Sequence, residues 1–221
     1  KLRRFHAVVL KPEAQHQFDQ ALQQRLEAYR KRAAAGLVRS DAERLALLTA
    51  LRQLGSFHKL VALQQLLDQL QGSGDPVVVF SGFRAPLLQL HRLRGGELLT
   101  GLVDPAERQQ RLQRFQRGDS NLLLATYGVA GLGLGLQRAS QVILLERPWT
   151  PGDAEQAEDR CHRFGTRRTV ECHWLQLGGA DALVDGLILS KSERIEVVLG
   201  RQRRQLRRQG LARMLDELLQ S

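Results

Sequence analysis

Two patterns of apolar and polar residues divide the chain. Before residue 72, apolar residues such as Phe18, Leu22 and Leu26 recur at helical spacing, which predicts amphipathic helices. After residue 76, short and wholly apolar runs alternate with helical stretches. Such runs are typical of parallel strands that are buried on both faces, so the second part predicts an α/β domain.

One strand and three helices are predicted before residue 72. The strand is "FHAVVL" (5–10), and the helices cover 13–35, 41–55 and 57–70. The segment "QGSGDP" (71–76) is rich in glycine and proline, so it predicts a loop between the two parts of the chain.

Five strands separated by helices are predicted in the second part. They are "VVVF" (77–80), "LLTGL" (98–102), "NLLLAT" (121–126), "QVILLE" (141–146) and "TVECHWLQL" (169–177). Asp104 and Pro105 are suited to the N-cap and first position of the helix "AERQQRLQRFQR". We therefore predict an α/β fold with an open, mainly parallel five-stranded sheet and helices on both faces.

Composition adds a strong positive charge to this picture. The chain has 33 Lys+Arg against 23 Asp+Glu, a net charge of +10. Such a balance favours a polyanionic partner such as nucleic acid, although a genome that overuses arginine would give the same excess. No apolar run approaches a membrane span, so no membrane partner is expected. Cys161 and Cys172 lack metal-ligand spacing, so we predict no metal site and a reduced, cytoplasmic setting.

Ligands bind open α/β sheets at the carboxyl ends of the strands. Three segments of the chain lie at such positions: "SGF" (81–83), the glycine-rich loop 126–135 and "RPWTPGD" (147–153). The loop has neither the G-x-G-x-x-G nor the P-loop pattern, because Leu136 and Leu134 stand where a glycine and a lysine are needed. Its glycines allow either a close approach of a ligand or a tight turn.

The segment "QAEDRCHRFGTRR" (156–168) follows the last of these loops. If 153–163 is helical, Gln156, Arg160 and Arg163 share one face. Two guanidiniums on one face are suited to binding an anion, with Gln156 and His162 able to bond phosphate oxygens.

The alternative for this segment is a solvated helix without a site. Glu158–His162 and Asp159–Arg163 have the i,i+4 spacing of weak surface ion pairs, each contributing a few tenths of a kcal/mol. The segment alone does not decide between the two interpretations.

Three segments together resemble a known family. "VVVFSGF", "DPAERQQRLQRFQ" and "W-x-P-x-x-x-E-Q-A-x-D-R-x-H-R-x-G" (149–165) look like the C-terminal RecA-like lobe of SWI/SNF-like ATPases, which are DNA translocases of helicase superfamily two. The resemblance runs in order from about residue 43 to 190. The form "AEDRxHR" is similar to the annealing-helicase branch, and we expect a bacterial source with nucleoid association.

The resemblance implies roles for individual residues. Arg160 and Arg163 would be arginine fingers, while Gln156 and His162 would couple their helix to ATP. The remaining implied residues line the nucleotide cleft (Gly131, Gly133) or contact double-stranded DNA (Ser81, Gly82, Thr126, Trp149). The ATP and its Mg²⁺ would be bound mainly by an N-terminal RecA-like lobe of the same protein.

The chain also departs from the family pattern. "GVAG" replaces a run that often contains lysine, and Gly135 stands where an asparagine is usual. Thr166 and Phe164 stand where glutamine and isoleucine are usual. DNA contacts of the lysine type from the glycine-rich loop are therefore not expected.

No P-loop occurs in the sequence, which begins at Lys1 and has its only methionine at Met214. We therefore expect a monomeric fragment that is inactive as an ATPase without its first lobe. Its predicted domains are 1–71 (strand and lead-in helices), 72–190 (RecA-like lobe) and 191–221 (a basic, brace-like helix). The alternatives are the second lobe of an RNA helicase and a degenerate, non-catalytic nucleic-acid-binding module.

Overall fold

The computed structural model describes residues 1–37, 41–130, 135–148, 151–161, 169–178 and 181. Contacts among them form two compact units. The first combines Lys1–Val8 with Lys59–Gln176, and the second combines Val9–His58 with the described residues from Leu177 onward. The basic helix predicted at 191–221 lies outside the described residues, and the division into three functional domains stays a prediction.

A six-stranded sheet forms the centre of the first unit. Its strands are β1 (Leu2–Val8), β2 (Val77–Ser81), β3 (Glu97–Leu99), β4 (Leu122–Thr126), β5 (Gln141–Leu144) and β6 (Glu171–Leu177). Their spatial order is β1-β6-β5-β2-β4-β3, and the pairs β2–β4, β2–β5, β3–β4 and β5–β6 are parallel. The predicted α/β fold with a mainly parallel sheet is therefore confirmed.

Seven helices are found in the described residues. They are α1 (Pro12–Ala34), α2 (Asp41–His58), α3 (Leu60–Gln71), α4 (Arg84–Arg94), α5 (Pro105–Arg117), α6 (Tyr127–Ala130) and α7 (Pro151–Asp159).

Alternation along each central strand sends side chains to two separate apolar clusters. Val78 and Phe80 of β2 pack with α5 and α7 residues on one face. Val77 and Val79 pack with α3 and α4 residues on the other. Because both faces are covered, every residue of β2 is buried, which explains the unbroken apolar runs in the sequence.

The sheet has six strands rather than the predicted five, because β1 lies beside β6. The Leu2 N–H donates to the Val170 carbonyl at 2.9 Å, so the strand begins at residue 2 rather than 5. It ends at Val8, and Val9 is exposed. β3 is also shorter than the predicted 98–102, since the Val103 N–H closes a turn onto the Thr100 carbonyl at 3.1 Å.

The second unit contains a helical hairpin of α1 and α2. Phe18 near the start of α1 contacts His58 at the end of α2, with ring centroids 5.1 Å apart. The prediction that α2 ends at Gly55 is wrong, because the helix continues to His58. The buried Leu51 and Ser56 on either side of Gly55 stabilise this extra turn against the glycine's low helix propensity.

No helix in the described part of the chain is long and apolar enough to cross a membrane.

Candidate functional site

The carboxyl ends of the three central strands meet at one edge of the sheet. Ser81 of β2 pairs with Thr126 of β4, and Phe80 pairs with Leu144 of β5. The segments that begin at residues 81, 126 and 147 therefore start close together, as predicted. This edge of the sheet is the candidate site.

Glu146 joins these segments, and the sequence analysis did not select it. It lies two residues after β5, is 2 % exposed, and its Oε1 accepts from Ser81 Oγ at 2.8 Å and from the Gly82 N–H. Its carbonyl accepts from the Tyr127 hydroxyl at 2.5 Å. A glutamate that ends an otherwise apolar strand, as in "QVILLE", is the sequence signal that could have identified it.

These hydrogen bonds occupy polar groups of residues that were predicted to contact DNA. The Ser81 side chain is buried and bonds Glu146 and the backbone of Phe83, whose N–H donates to Ser81 Oγ at 2.9 Å. The Gly82 N–H is also occupied. Thr126 is half-buried at the end of β4. Thr126 is thus more exposed than Ser81, while contacts of all three residues with DNA stay predictions.

Two of the predicted site residues lie next to each other at the end of α7. Gln156 belongs to this helix, and Arg160 lies in the turn that follows it. The Arg160 N–H donates to the Gln156 carbonyl at 3.2 Å, and the Arg160 carbonyl accepts from the Leu136 N–H at 3.0 Å. The Gln156 side chain is exposed and Arg160 is half-buried. Arg160 Nε is buried without a hydrogen-bond partner, so this donor is desolvated and unsatisfied.

α7 is shorter than the predicted helix 153–163. It ends at Asp159, and Arg160 and Cys161 form a turn closed by the Cys161 N–H on the Glu158 carbonyl at 3.1 Å. The remaining predicted site residues, Arg163, His162, Trp149, Gly131 and Gly133, lie outside the described residues. The face shared by Gln156, Arg160 and Arg163 is therefore described only for its first two members.

The interpretation of α7 as an ordinary solvated helix is wrong for Glu158. This side chain is fully buried, and Arg3 and Lys1 of the N-terminal segment pair with it. The exposed Asp159 also pairs with Lys1, at 2.7 Å. The acidic residues of α7 thus bind cations far away in the sequence, which no i,i+4 rule predicts.

Both cysteines beside this site are buried thiols. Burial raises the pKa of Cys161, and it raises the pKa of Cys172 to about 12. The thiol forms therefore persist at neutral pH, and neither side chain is suited to nucleophilic or metal chemistry. Among the described residues, no group of three His, Cys, Asp or Glu side chains could hold a metal ion.

Comparison with known proteins adds a family to this geometry. The helicase conserved C-terminal domain matches residues 58–165. The DNA repair protein RAD5 of Kluyveromyces lactis is 34% identical over 139 residues, which are 54% of this chain and 12% of that protein. The human DNA annealing helicase and endonuclease ZRANB3 is 35% identical over 97 residues, 43% of this chain and 9% of that protein. The chain thus spans a small part of these relatives.

Solved structures agree on the fold. The Sulfolobus solfataricus SWI2/SNF2 ATPase core in complex with dsDNA matches with a TM-score of 0.68 and 20% identity, over 90% of this chain and 46% of that chain. The C-terminal domain of the same type of ATPase matches with a TM-score of 0.63 and 16% identity, over 91% of this chain and 90% of that one.

The matched domain, the SWI2/SNF2-type relatives and the RecA-like sheet lead to one assignment. These similarities support a C-terminal RecA-like lobe of a SWI2/SNF2-like ATPase of helicase superfamily two.

Proposed function

We propose that this chain is the second lobe of an ATP-dependent DNA translocase and that it supplies Arg160 and Arg163 as arginine fingers to an ATP site. The first lobe of the full-length protein would bind most of the nucleotide and its Mg²⁺. The observation that carries the proposal is Arg160 itself, in the turn that ends α7, with a buried Nε that lacks a hydrogen-bond partner.

Gln156 in α7 and Arg160 in the turn after it are suited to binding a triphosphate. A buried guanidinium N–H without an acceptor is costly in a folded protein, and a phosphate oxygen would satisfy it with a short, charge-assisted bond. Gln156 lies one helical turn before Arg160 and exposes its amide, so it can donate to or accept from the same ligand. ATP, when bound, supplies the phosphoryl group that is transferred to water.

The chemical contribution of this lobe is electrostatic. Arginine side chains held next to the γ-phosphoryl group stabilise the charge that develops during transfer, an effect of about 10³–10⁵ in rate in other NTPases. Neither Arg160 nor Gln156 needs to exchange a proton for this role. The isolated chain, which lacks a P-loop, is expected to hydrolyse ATP negligibly.

DNA is the proposed polyanionic partner. A net charge of +10 supports binding to nucleic acid, and a structural neighbour was solved in complex with dsDNA. Thr126 at the end of β4 would contact the phosphate backbone, and Trp149 would lie near the same track. Ser81 and Gly82 would shape this edge mainly through Glu146, because their donors already bond its carboxylate.

Substitution of Arg160 tests the proposal. We expect Arg160→Ala in the full-length protein to lower kcat of the DNA-stimulated ATPase by about 10³, with DNA affinity and Tm unchanged. Arg4→Ala, which removes an exposed ion pair with Glu171, is the matched control. Unchanged turnover in Arg160→Ala would contradict the finger assignment and favour a non-catalytic binding module. Stronger stimulation by duplex RNA than by duplex DNA would instead favour an RNA helicase.

A further inference from the structure

The buried Glu158 carboxylate is the centre of a charged cluster whose cations are partly exposed. It is fully buried, and it accepts from Arg3 Nη2 at 2.8 Å, Arg3 Nε at 3.1 Å and Trp174 Nε1 at 2.9 Å. Lys1 Nζ lies 3.2 Å from Oε2, the oxygen that Arg3 Nη2 also bonds. Donors from β1 and β6 thus converge on one side chain of α7.

Aromatic stacking fixes the cations of this cluster. Arg3 lies 5.0 Å from the centre of a Trp174 ring, and Arg147 lies 4.3 Å from it. Phe5 packs edge-on against the same tryptophan at 5.2 Å. The hydrogen bond to Glu158 is the main cause that raises the pKa of Arg3, so the guanidinium of Arg3 stays charged. A buried ion pair of this kind contributes little net stability, and its geometry fixes orientation more than it adds energy.

The backbone carbonyl of the same residue closes the turn that carries Arg160. The Glu158 carbonyl accepts from the Cys161 N–H at 3.1 Å, and the Leu136 N–H donates to the Arg160 carbonyl at 3.0 Å. Arg160 is therefore held from the Glu158 side and from the segment that follows the glycine-rich loop. If the Glu158 carboxylate loses its donors, the end of α7 loses its link to β1 and β6.

We propose that Glu158 is a positioning residue, which uses Arg3, Lys1 and Trp174 to hold the end of α7 so that Arg160 points at the nucleotide. This inference rests on the proposed function of Arg160. β1 is then part of the catalytic support and not only an edge strand. The contacts that carry this role join α7 to β1 and β6, which lie side by side at one edge of the sheet.

Kinetics of the full-length protein test this role. We expect Glu158→Gln and Arg3→Ala each to lower kcat of the DNA-stimulated ATPase by about tenfold, since small displacements of a catalytic group lower rates by this order or more. KM for ATP and DNA affinity should change less than about twofold, because Arg160 acts on the transition state rather than on ground-state binding. Arg4→Ala, on the same strand but paired with Glu171, should leave kcat unchanged.

Hydrogen exchange gives a readout that is independent of activity. The Leu136 amide bonds the Arg160 carbonyl, so its exchange reports the position of this turn. Glu158→Gln should accelerate exchange at Leu136 while exchange in β4 stays as in the wild type. A general loss of protection in β4 as well would mean that Glu158 only stabilises the fold, and it would overturn the proposal.

The remaining outcomes distinguish the positioning role of Glu158 from the proposed function of Arg160. If Arg160→Ala lowers kcat but Glu158→Gln behaves like Arg4→Ala, the positioning role is wrong and the proposed function stands. If Arg160→Ala has no effect, both are wrong. If Glu158→Gln does not fold, Trp174→Phe replaces it, because it keeps an aromatic side chain at this position while it removes the indole N–H donor. A wild-type kcat with wild-type exchange at Leu136 in Trp174→Phe would then contradict the proposal.

Discussion

The two halves of the sheet are held together by different interactions. The half of β2, β4 and β3 packs apolar side chains against α4 and α5, and its ion pairs, such as Arg94–Asp68 and Arg111–Glu107, involve exposed partners. The half of β5, β6 and β1 buries Glu158, Arg147 and His173 among its apolar residues. We refer to them as the apolar half and the charged half.

The charged half also carries Arg160, the described candidate finger, and this coincidence has a physical reason. Apolar packing tolerates exchanges of similar volume, so it fixes a side chain's surroundings loosely. A buried ion pair must keep its geometry, because either partner alone is costly. Helix α7, which in the proposed function presents Arg160, adds the ion pairs of buried Glu158 to its apolar contacts, whereas the buried residues of α5 are Leu112 and Phe115.

Loss of apolar volume should have the largest effect on stability. Phe115 is fully buried in the apolar half, and Phe115→Ala is expected to lower the free energy of unfolding by about 3–5 kcal/mol. Phe5 of the charged half is 60% exposed, and Phe5→Ala should cost about 1 kcal/mol through its contact with Trp174. Urea denaturation measures both losses. Equal losses would show that apolar burial stabilises the two halves alike.

Acid should weaken the charged half first. His173 Nε2 lies 2.7 Å from Gln141 Oε1, and its Nδ1 lies 2.9 Å from His6 Nε2. Since an amide oxygen only accepts, Nε2 carries the proton and Nδ1 accepts from His6. Burial, with a smaller effect from His6, lowers the pKa of His173 to about 4. As the pH falls, His173 therefore binds a proton at a higher pH in the unfolded chain than in the folded protein.

The sign of the pH dependence follows from this order. The stability due to neutral His173 is fully present above about pH 6.5 and is lost as the pH falls toward 4, by at most about 3 kcal/mol. Glu171, whose pKa the hydrogen bond from Arg4 lowers, adds a loss of the same sign. Urea midpoints between pH 7 and 4 measure the sum. His173→Asn should flatten the profile, and an unchanged slope would contradict the assignment.

A pair of glycines separates backbone strain from packing in the apolar half. Gly95 and Gly96 both have positive φ, but only at Gly96 would a Cβ meet another residue, 2.8 Å from the Leu122 carbonyl oxygen. Gly96→Ala should therefore lower the free energy of unfolding by about 1–3 kcal/mol more than Gly95→Ala does. Thermal unfolding of the two variants tests this difference. Equal losses would mean that β4 moves aside at no cost.

The apolar half was the easier one to predict from the sequence. Its strands are wholly apolar runs, and α5 is bounded by local signals, since Asp104 caps its start and Gly118 ends it with φ of 94°. β1 was predicted with shifted bounds and outside the sheet, because its partner β6 lies at the other end of the chain. Hydrophobic periodicity does not predict such pairing.

The residues of the candidate site also differ in how well the sequence predicted them. Gln156 and Arg160 were selected from a motif, and the structure brings both to the carboxyl-end segment after β5. Glu146 and the buried state of Glu158 were missed, because acidic residues in a sequence are expected at the surface. Only the fold reveals which carboxylates are surrounded by donors. The interactions that position the site were therefore the least predictable part of it.

The smallest expected effect concerns the local signal that starts α5. The Asp104 side chain accepts from the Ala106 N–H at 2.8 Å, so Asp104→Ala should lower the free energy of unfolding by about 1 kcal/mol, whereas Asp104→Asn, which keeps an acceptor, should lose less. Urea denaturation of both variants, beside Glu158→Gln, measures the difference. Turnover should be unaffected by either Asp104 variant, because α5 is anchored by its own cap and apolar face. A fall in kcat after Asp104→Ala as large as after Glu158→Gln would mean that the two halves of the sheet do not differ in how they support Arg160.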